Sequence, residues 1–119
     1  MTSFRCGPKV KMSKRWRDAI RAVETSCGRA GLKPPKVKWT VYEWIGSKTG
    51  PNFLYGFTET MGNVSTIWLS DRPGSEIDTV AHEYAHAIVD RIASGREKDH
   101  GELWGLVYSR LYGAAMGER

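Results

Sequence analysis

Cysteine is scarce in this 119-residue chain, which holds only Cys6 and Cys27. Two thiols cannot build a disulfide framework or a four-cysteine zinc site. Long apolar runs are missing too. No stretch approaches the roughly 18–20 residues that a bilayer span requires, so no membrane partner is expected. The opening residues, Met1 to Lys9, have no apolar segment of the secretory kind. A cytoplasmic setting with reduced thiols is therefore the expectation. Repeats and low-complexity tracts are absent, and the length suits a single domain over residues 1–119, expected to be a monomer. Disorder is excluded by composition: five Trp, five Tyr and three Phe supply large apolar surfaces to bury.

Acid is nearly lacking from the first third. Residues 1–38 carry eleven Lys or Arg against Asp18 and Glu24, a balance of +9, while residues 39–119 carry −4. A basic region on a near-neutral body suits a polyanion, most often nucleic acid, and suits equally a solvated helix face that keeps the protein soluble. Lys11, Lys14, Arg15 and Arg17 are the candidate phosphate contacts, which makes DNA a candidate partner.

The pattern of apolar residues predicts the elements. Met12, Trp16, Ile20, Val23, Cys27 and Ala30 recur at helical spacing, with Ser13 as a cap and Gly31 as a stop. Strands are expected over 37–45, 53–58 and 64–69, the last two joined by a Met61-Gly62-Asn63 turn as a hairpin. A second helix should start near Ser75, with Ile77, Val80, Ala81, Tyr84, Ile88 and Ile92 facing inward. A third should run over 100–115, with Asp99 and Glu102 as a capping box and Leu103, Leu106, Val107, Leu111 and Ala114 inward. Helix, three strands, helix, helix is an α+β arrangement with a mostly antiparallel three-stranded sheet.

The chemistry concentrates in three histidines. His82-Glu83-Tyr84-Ala85-His86 matches H-E-x-x-H. Residues i and i+4 of a helix share a face, so both imidazoles can take adjacent corners of a zinc tetrahedron. Glu83, turned about 100° away from His82, is placed to accept a proton from water held at the metal. A catalytic site needs a third protein ligand and one open position, and His100 is the expected third, ahead of Glu97 and Glu102. Asp78 and Asp90 lie one turn either side of the pair. They suit second hydrogen bonds to the imidazoles, or a helix cap and a solvated acid respectively. Tyr55, Tyr84, Tyr108, Tyr112 and Arg96 are candidates for steadying an oxyanion. The strand over 64–69 could accept an extended peptide if it forms the sheet edge. Cys27 reads as a core residue and Cys6 as an unpaired surface thiol.

His82-Glu83-Tyr84-Ala85-His86-Ala87, twelve intervening residues, then His100-Gly101-Glu102-Leu103-Trp104 resembles the SprT-like (Spartan-type) zinc metalloproteases. The resemblance spans most of the chain. It implies a minimal zincin-like core, Zn2+ held by His82, His86 and His100, and Glu83 as catalytic base. It also implies protein or peptide substrates, among them proteins bound or crosslinked to DNA. Tyr84-Ala85 departs from the Leu/Met-Cys common inside the family motif, and no C-x-x-C follows the last helix. Two other readings fit the same residues: a nucleic-acid-binding module with a structural or vestigial metal, and a zincin that cleaves a regulatory protein.

Overall fold

A computed structural model describes residues 4–47, 53–74, 76–93 and 101–117. Among them are three helices and two small sheets, an α+β arrangement. The first helix, α1 (Lys14–Arg29), begins where expected. Ser13 adopts extended backbone, and its hydroxyl accepts the Trp16 N–H at 3.4 Å, satisfying one of the amides a helix start leaves unpaired. After α1 the chain reverses at Gly31, whose φ of +73° is a left-handed conformation that glycine adopts without strain.

The larger sheet has the order β2 (Lys36–Tyr42), β6 (Val64–Ser70), β5 (Gly56–Met61). The β5–β6 hairpin forms as expected, turning at Gly62 with φ +64°. The sheet is less antiparallel than expected, because β2 runs parallel to β6, in register from Lys36 opposite Val64 to Tyr42 opposite Ser70. β6 is also the central strand, not the edge. It buries Ser65, Ile67 and Leu69 on one face and is paired along both sides.

The strand expected over 37–45 is broken. Glu43 donates to the Pro8 carbonyl and Ile45 to the Ser70 hydroxyl, both at 2.9 Å, so the chain leaves the larger sheet at Tyr42. It continues as β3 (Ile45–Ser47), which lies antiparallel between β1 (Phe4–Cys6) and β4 (Phe53–Leu54) in a second sheet. The polar opening segment is thus a strand, which its composition hid, and Cys6 on it is exposed.

α2 (Glu76–Ala93) packs on the larger sheet, α1 packs on α2, and α3 (Glu102–Ala115) lies against both helices. The core joins Trp16, Val23 and Cys27 of α1 to Val41, Ile67 and Leu69 of the sheet. Val80, Tyr84 and Ile88 of α2 and Val107 and Leu111 of α3 complete it. Trp16 is only 1% exposed, and its indole N–H donates to Asp71 at 3.0 Å, tying α1 to the chain beyond β6. Truncating such a side chain typically costs about 3–5 kcal/mol.

Two expected inward residues face out: Ile92 is 59% exposed and Leu106 61%. Trp104 and Tyr108 take the inner face of α3 instead, because their rings reach α2. The capping box is not how α3 starts. Gly101 sits at its N-cap with no side-chain cap bond, and Glu102 is its first residue, not its third. Asp99 lies outside the described residues, as does Ser75. No helix among the described residues is long and apolar enough to cross a membrane.

Candidate active site

His82 and His86 lie one turn apart on α2, and their ring centroids are 5.1 Å apart. The helix is amphipathic in an uneven way. Ala81, Tyr84, Ala85 and Ile88 are buried against α1, α3 and the sheet, which leaves the two imidazoles at the border between core and solvent. The His82 side chain is 35% open to solvent.

Glu83 points elsewhere, towards β5. It is only 6% exposed, and its Oε2 is 3.8 Å from His82 Nε2. The Thr58 hydroxyl lies 2.8 Å from Glu83 Oε1 and 3.0 Å from the Glu83 carbonyl oxygen. Burying a carboxylate costs on the order of several kcal/mol unless donors surround it, and Thr58 supplies one. Gly56, two residues earlier on the same face of β5, gives the carboxylate its room. A Cβ there would stand 2.9 Å from Glu83 Cγ and 3.2 Å from Thr79 Cγ2. These groups line a cleft of about 470 Å³ whose walls are Leu54, Tyr55, Gly56, Asp78, Thr79, His82 and Glu83.

The far side of the imidazoles is closed by α3. The Trp104 indole is 4.8 Å from the His82 ring, edge-on, and 5.4 Å from the His86 ring, stacked. Its N–H donates to the His82 carbonyl at 3.2 Å. Tyr108 stacks on Trp104 at 5.0 Å and 4°, and its phenol donates to Asp78 Oδ1. Burial, then the Asp78 bond, pushes that phenol up to about 12, so it remains a proton donor through neutral pH. An aromatic column of Trp104, Tyr108 and Tyr112 therefore backs the pair.

The sequence-predicted residues divide three ways. His82, His86 and Glu83 are brought together. His100, Glu97 and Arg96 lie outside the described residues. Glu102, at the start of α3, is exposed. Of the acids one turn from the pair, Asp78 takes the Tyr108 phenol. Asp90 accepts the Thr60 hydroxyl at 2.8 Å and is not simply solvated beside Arg91, which reaches the Pro34 carbonyl at 2.9 Å instead. Among the tyrosines, Tyr84 is buried in the core and stacked on Trp39. Tyr55 is 54% exposed on the cleft wall and Tyr108 stands beside His82. Gly56 and Thr79 on the cleft wall, and Thr58 bonded to Glu83, are the residues that sequence reasoning missed, because which strand crosses which helix is not written in either one's own residues.

The four candidate phosphate contacts are mostly engaged. Lys14 pairs with Asp18 at 2.7 Å, Arg15 with Glu76 at 3.2 Å, and Arg17 donates to the Met12 carbonyl at 2.9 Å. Lys11 is exposed.

Two of the donors that a divalent metal would need are present on α2. His82 and His86 supply two borderline nitrogen donors on one helical face at a cleft mouth, with a buried carboxylate beside them. Among the described residues no cluster of three His, Cys, Asp or Glu side chains is placed to hold an ion. The third donor expected from the sequence is His100, directly before the α3 N-cap. Neither protein-family models, nor curated proteins, nor solved structures give a match to this chain.

Proposed function

We propose that this protein is a small zinc-dependent peptidase of the SprT-like kind, with a zincin-like arrangement of its metal helix. The observation that carries the reading is the placement of Glu83: buried, donated to by Thr58, and 3.8 Å from the imidazole of a histidine that opens on a cleft. A buried carboxylate beside an imidazole that opens on a cleft is the arrangement in which a proton acceptor is commonly found.

In this reading His82 and His86, with His100, hold the ion. When bound, the metal supplies Lewis acidity, polarising the scissile carbonyl and making water more acidic. Glu83 accepts the water proton at its carboxylate and returns it to the leaving amine. Thr58 keeps that carboxylate aimed, and Gly56 leaves the space in which it moves. Tyr55, on the cleft wall, would donate its phenol to the developing oxyanion. Trp104, packed against both rings, would limit their rotation. An extended peptide would lie along β5, the strand at the sheet edge beside α2, pairing through its main chain with little side-chain preference. Substrates would therefore be proteins or peptides, those bound to DNA among them.

Metal analysis together with a protease assay tests this. Purified protein should carry roughly one zinc per chain, lost on His100→Ala. Glu83→Gln should keep the metal and abolish cleavage of an unfolded protein substrate. Full zinc in the His100→Ala variant would remove the third ligand from the proposal. Undiminished cleavage by Glu83→Gln would remove the base.

A further inference from the structure

We propose that the outer face of the larger sheet docks a second copy of this chain, about a two-fold axis that runs along β6. The face bearing Val41, Ile67 and Leu69 belongs to the core beneath α2. Side chains alternate along a strand, so the residues between these point the other way. On that outer face exposure rises with distance from the second sheet. Ser70 is buried, Trp68 and Thr66 are half-buried, and Val64 is 42% exposed. Opposite Val64 stands Met61, at 76% the most exposed large apolar side chain among the described residues.

Register fixes where the charges stand. Thr66, on the central strand, is paired with Lys38 of β2 on one side and Glu59 of β5 on the other. A cation and an acid thus flank the middle of the face, each about 4.8 Å from it. Neither belongs to an ion pair among the described residues. Rotation by 180° about an axis along β6 exchanges left and right and leaves the position along the strand unchanged. Lys38 of each copy then faces Glu59 of the other, and one contact makes two ion pairs. A two-fold axis across the strands at Thr66 would set Lys38 against Lys38 and Glu59 against Glu59. The charges therefore choose the axis.

The apolar residues suit the same axis, which lays like row on like row. Val64 meets its own counterpart. Met61 meets the aliphatic stem of Lys36, which sits across Val64 in the same row and keeps its ammonium at the wet rim. On the far side of Thr66, Trp68 lies at the axis. Phe57 is edge-on to it at 6.3 Å and Tyr42 is tilted against it at 5.7 Å, so an aromatic ridge closes that end. Sheets stacked in this way lie about 10 Å apart with their strands about 30° askew, which leaves room for these side chains. About nine residues a side, against roughly 20–30 in a standard interface, make a weak dimer. None of them lines the histidine cleft, so the dimer does not depend on the proposed peptidase activity.

Sedimentation equilibrium of the full-length chain, from about 10 µM to about 1 mM, tests the pairing. The average mass should begin at 13.4 kDa and climb towards twice that value, with a Kd on the order of 0.1–1 mM. Lys38→Glu should keep the chain monomeric throughout, and so should Glu59→Lys, because each puts like charges into both contacts. Mixed in equal amounts, the two variants should associate again, since each supplies the charge that the other lacks. The double variant Lys38→Glu/Glu59→Lys should dimerise like the parent. Recovery in the mixture also shows that the single variants are folded. A parent that stays monomeric at every concentration overturns the proposal. Dimerisation undisturbed by either single variant overturns it too, as does a mixture that fails to recover. A monomeric parent that binds single-stranded oligo-dT through this face, weakened by Lys38→Glu, would assign the face to nucleic acid instead.

Discussion

The Thr58 hydroxyl holds Glu83 at two points, 2.8 Å from its carboxylate and 3.0 Å from its main-chain carbonyl. One hydroxyl has one proton to give, so the carboxylate receives it only by taking it from the helix carbonyl. Thr58→Val keeps the shape and removes the donor. The expected outcome is a loss of about 1–3 kcal/mol in stability, the usual result of stripping a buried polar group of its partner. Urea titration measures that loss. In the peptidase assay kcat should fall more than KM rises, since Thr58 aims the base without touching substrate.

Gly56→Ala probes the same carboxylate from the other side. The added methyl would meet Glu83 Cγ at 2.9 Å, closer than real side chains approach. Glu83 has to turn away, because the opposing atoms belong to a helix that cannot retreat without unpacking. Cleavage should fall by at least tenfold while zinc content stays near one per chain. A variant with parent activity would mean that the carboxylate does not need its present position.

Trp104 offers a test of the imidazole pair. Its ring lies 4.8 and 5.4 Å from the two histidine rings, and nothing polar in it would bind the metal. Trp104→Leu keeps apolar volume but gives up the flat support and the bond to the His82 carbonyl. Loss of that packing should weaken metal binding, because the imidazoles would no longer be held in one orientation. Competition against a chromogenic chelator reads that change directly. Unaltered affinity would make Trp104 a packing residue alone.

The two thiols should behave oppositely. Cys6 is exposed, and Cys27 is buried, its thiol pushed up by desolvation. One thiol per chain should react quickly with Ellman's reagent at pH 8, and the second only on unfolding. Burial also raises the Tyr84 phenol, so both groups hold their protons in the folded state at a pH where the unfolded chain releases them. The sign follows: their contribution to stability is complete below the unfolded values, about 8.5 for a thiol and about 10 for a phenol, and is lost as pH rises. Urea midpoints should decline from pH 8 to pH 10.5, and Cys27→Ala should flatten the first part of that decline.

Helices were the legible part of the sequence. Trp16, Ile20, Val23 and Cys27 on α1, and Val80, Ala81, Tyr84 and Ile88 on α2, sit where a 3.6-residue period places them. Ser13 caps as its type predicts. Leu106 and Ile92 mislead because an apolar residue carries no mark of how many neighbours it will meet. Strand order was hidden for a related reason: a period of two says which face a residue takes but not which strand lies beside it. The parallel pairing of β2 with β6 depends on partners 28 residues apart, and the break at Glu43 depends on bonds to Pro8 and Ser70. The histidine pair of α2 could be read because its residues are local, i and i+4 on one coil. Gly56, Thr58 and Thr79 could not, since their role comes from which strand crosses that coil.

β6 enters the sheet last, yet it occupies the middle. Until Val64–Ser70 has emerged and slotted in, β2 lacks its one strand partner in the larger sheet and β5 its hairpin partner. Half-made chains consequently expose two bare strand margins at once, and a ribosome pausing between Met61 and Ser70 would leave this protein at its most adhesive moment.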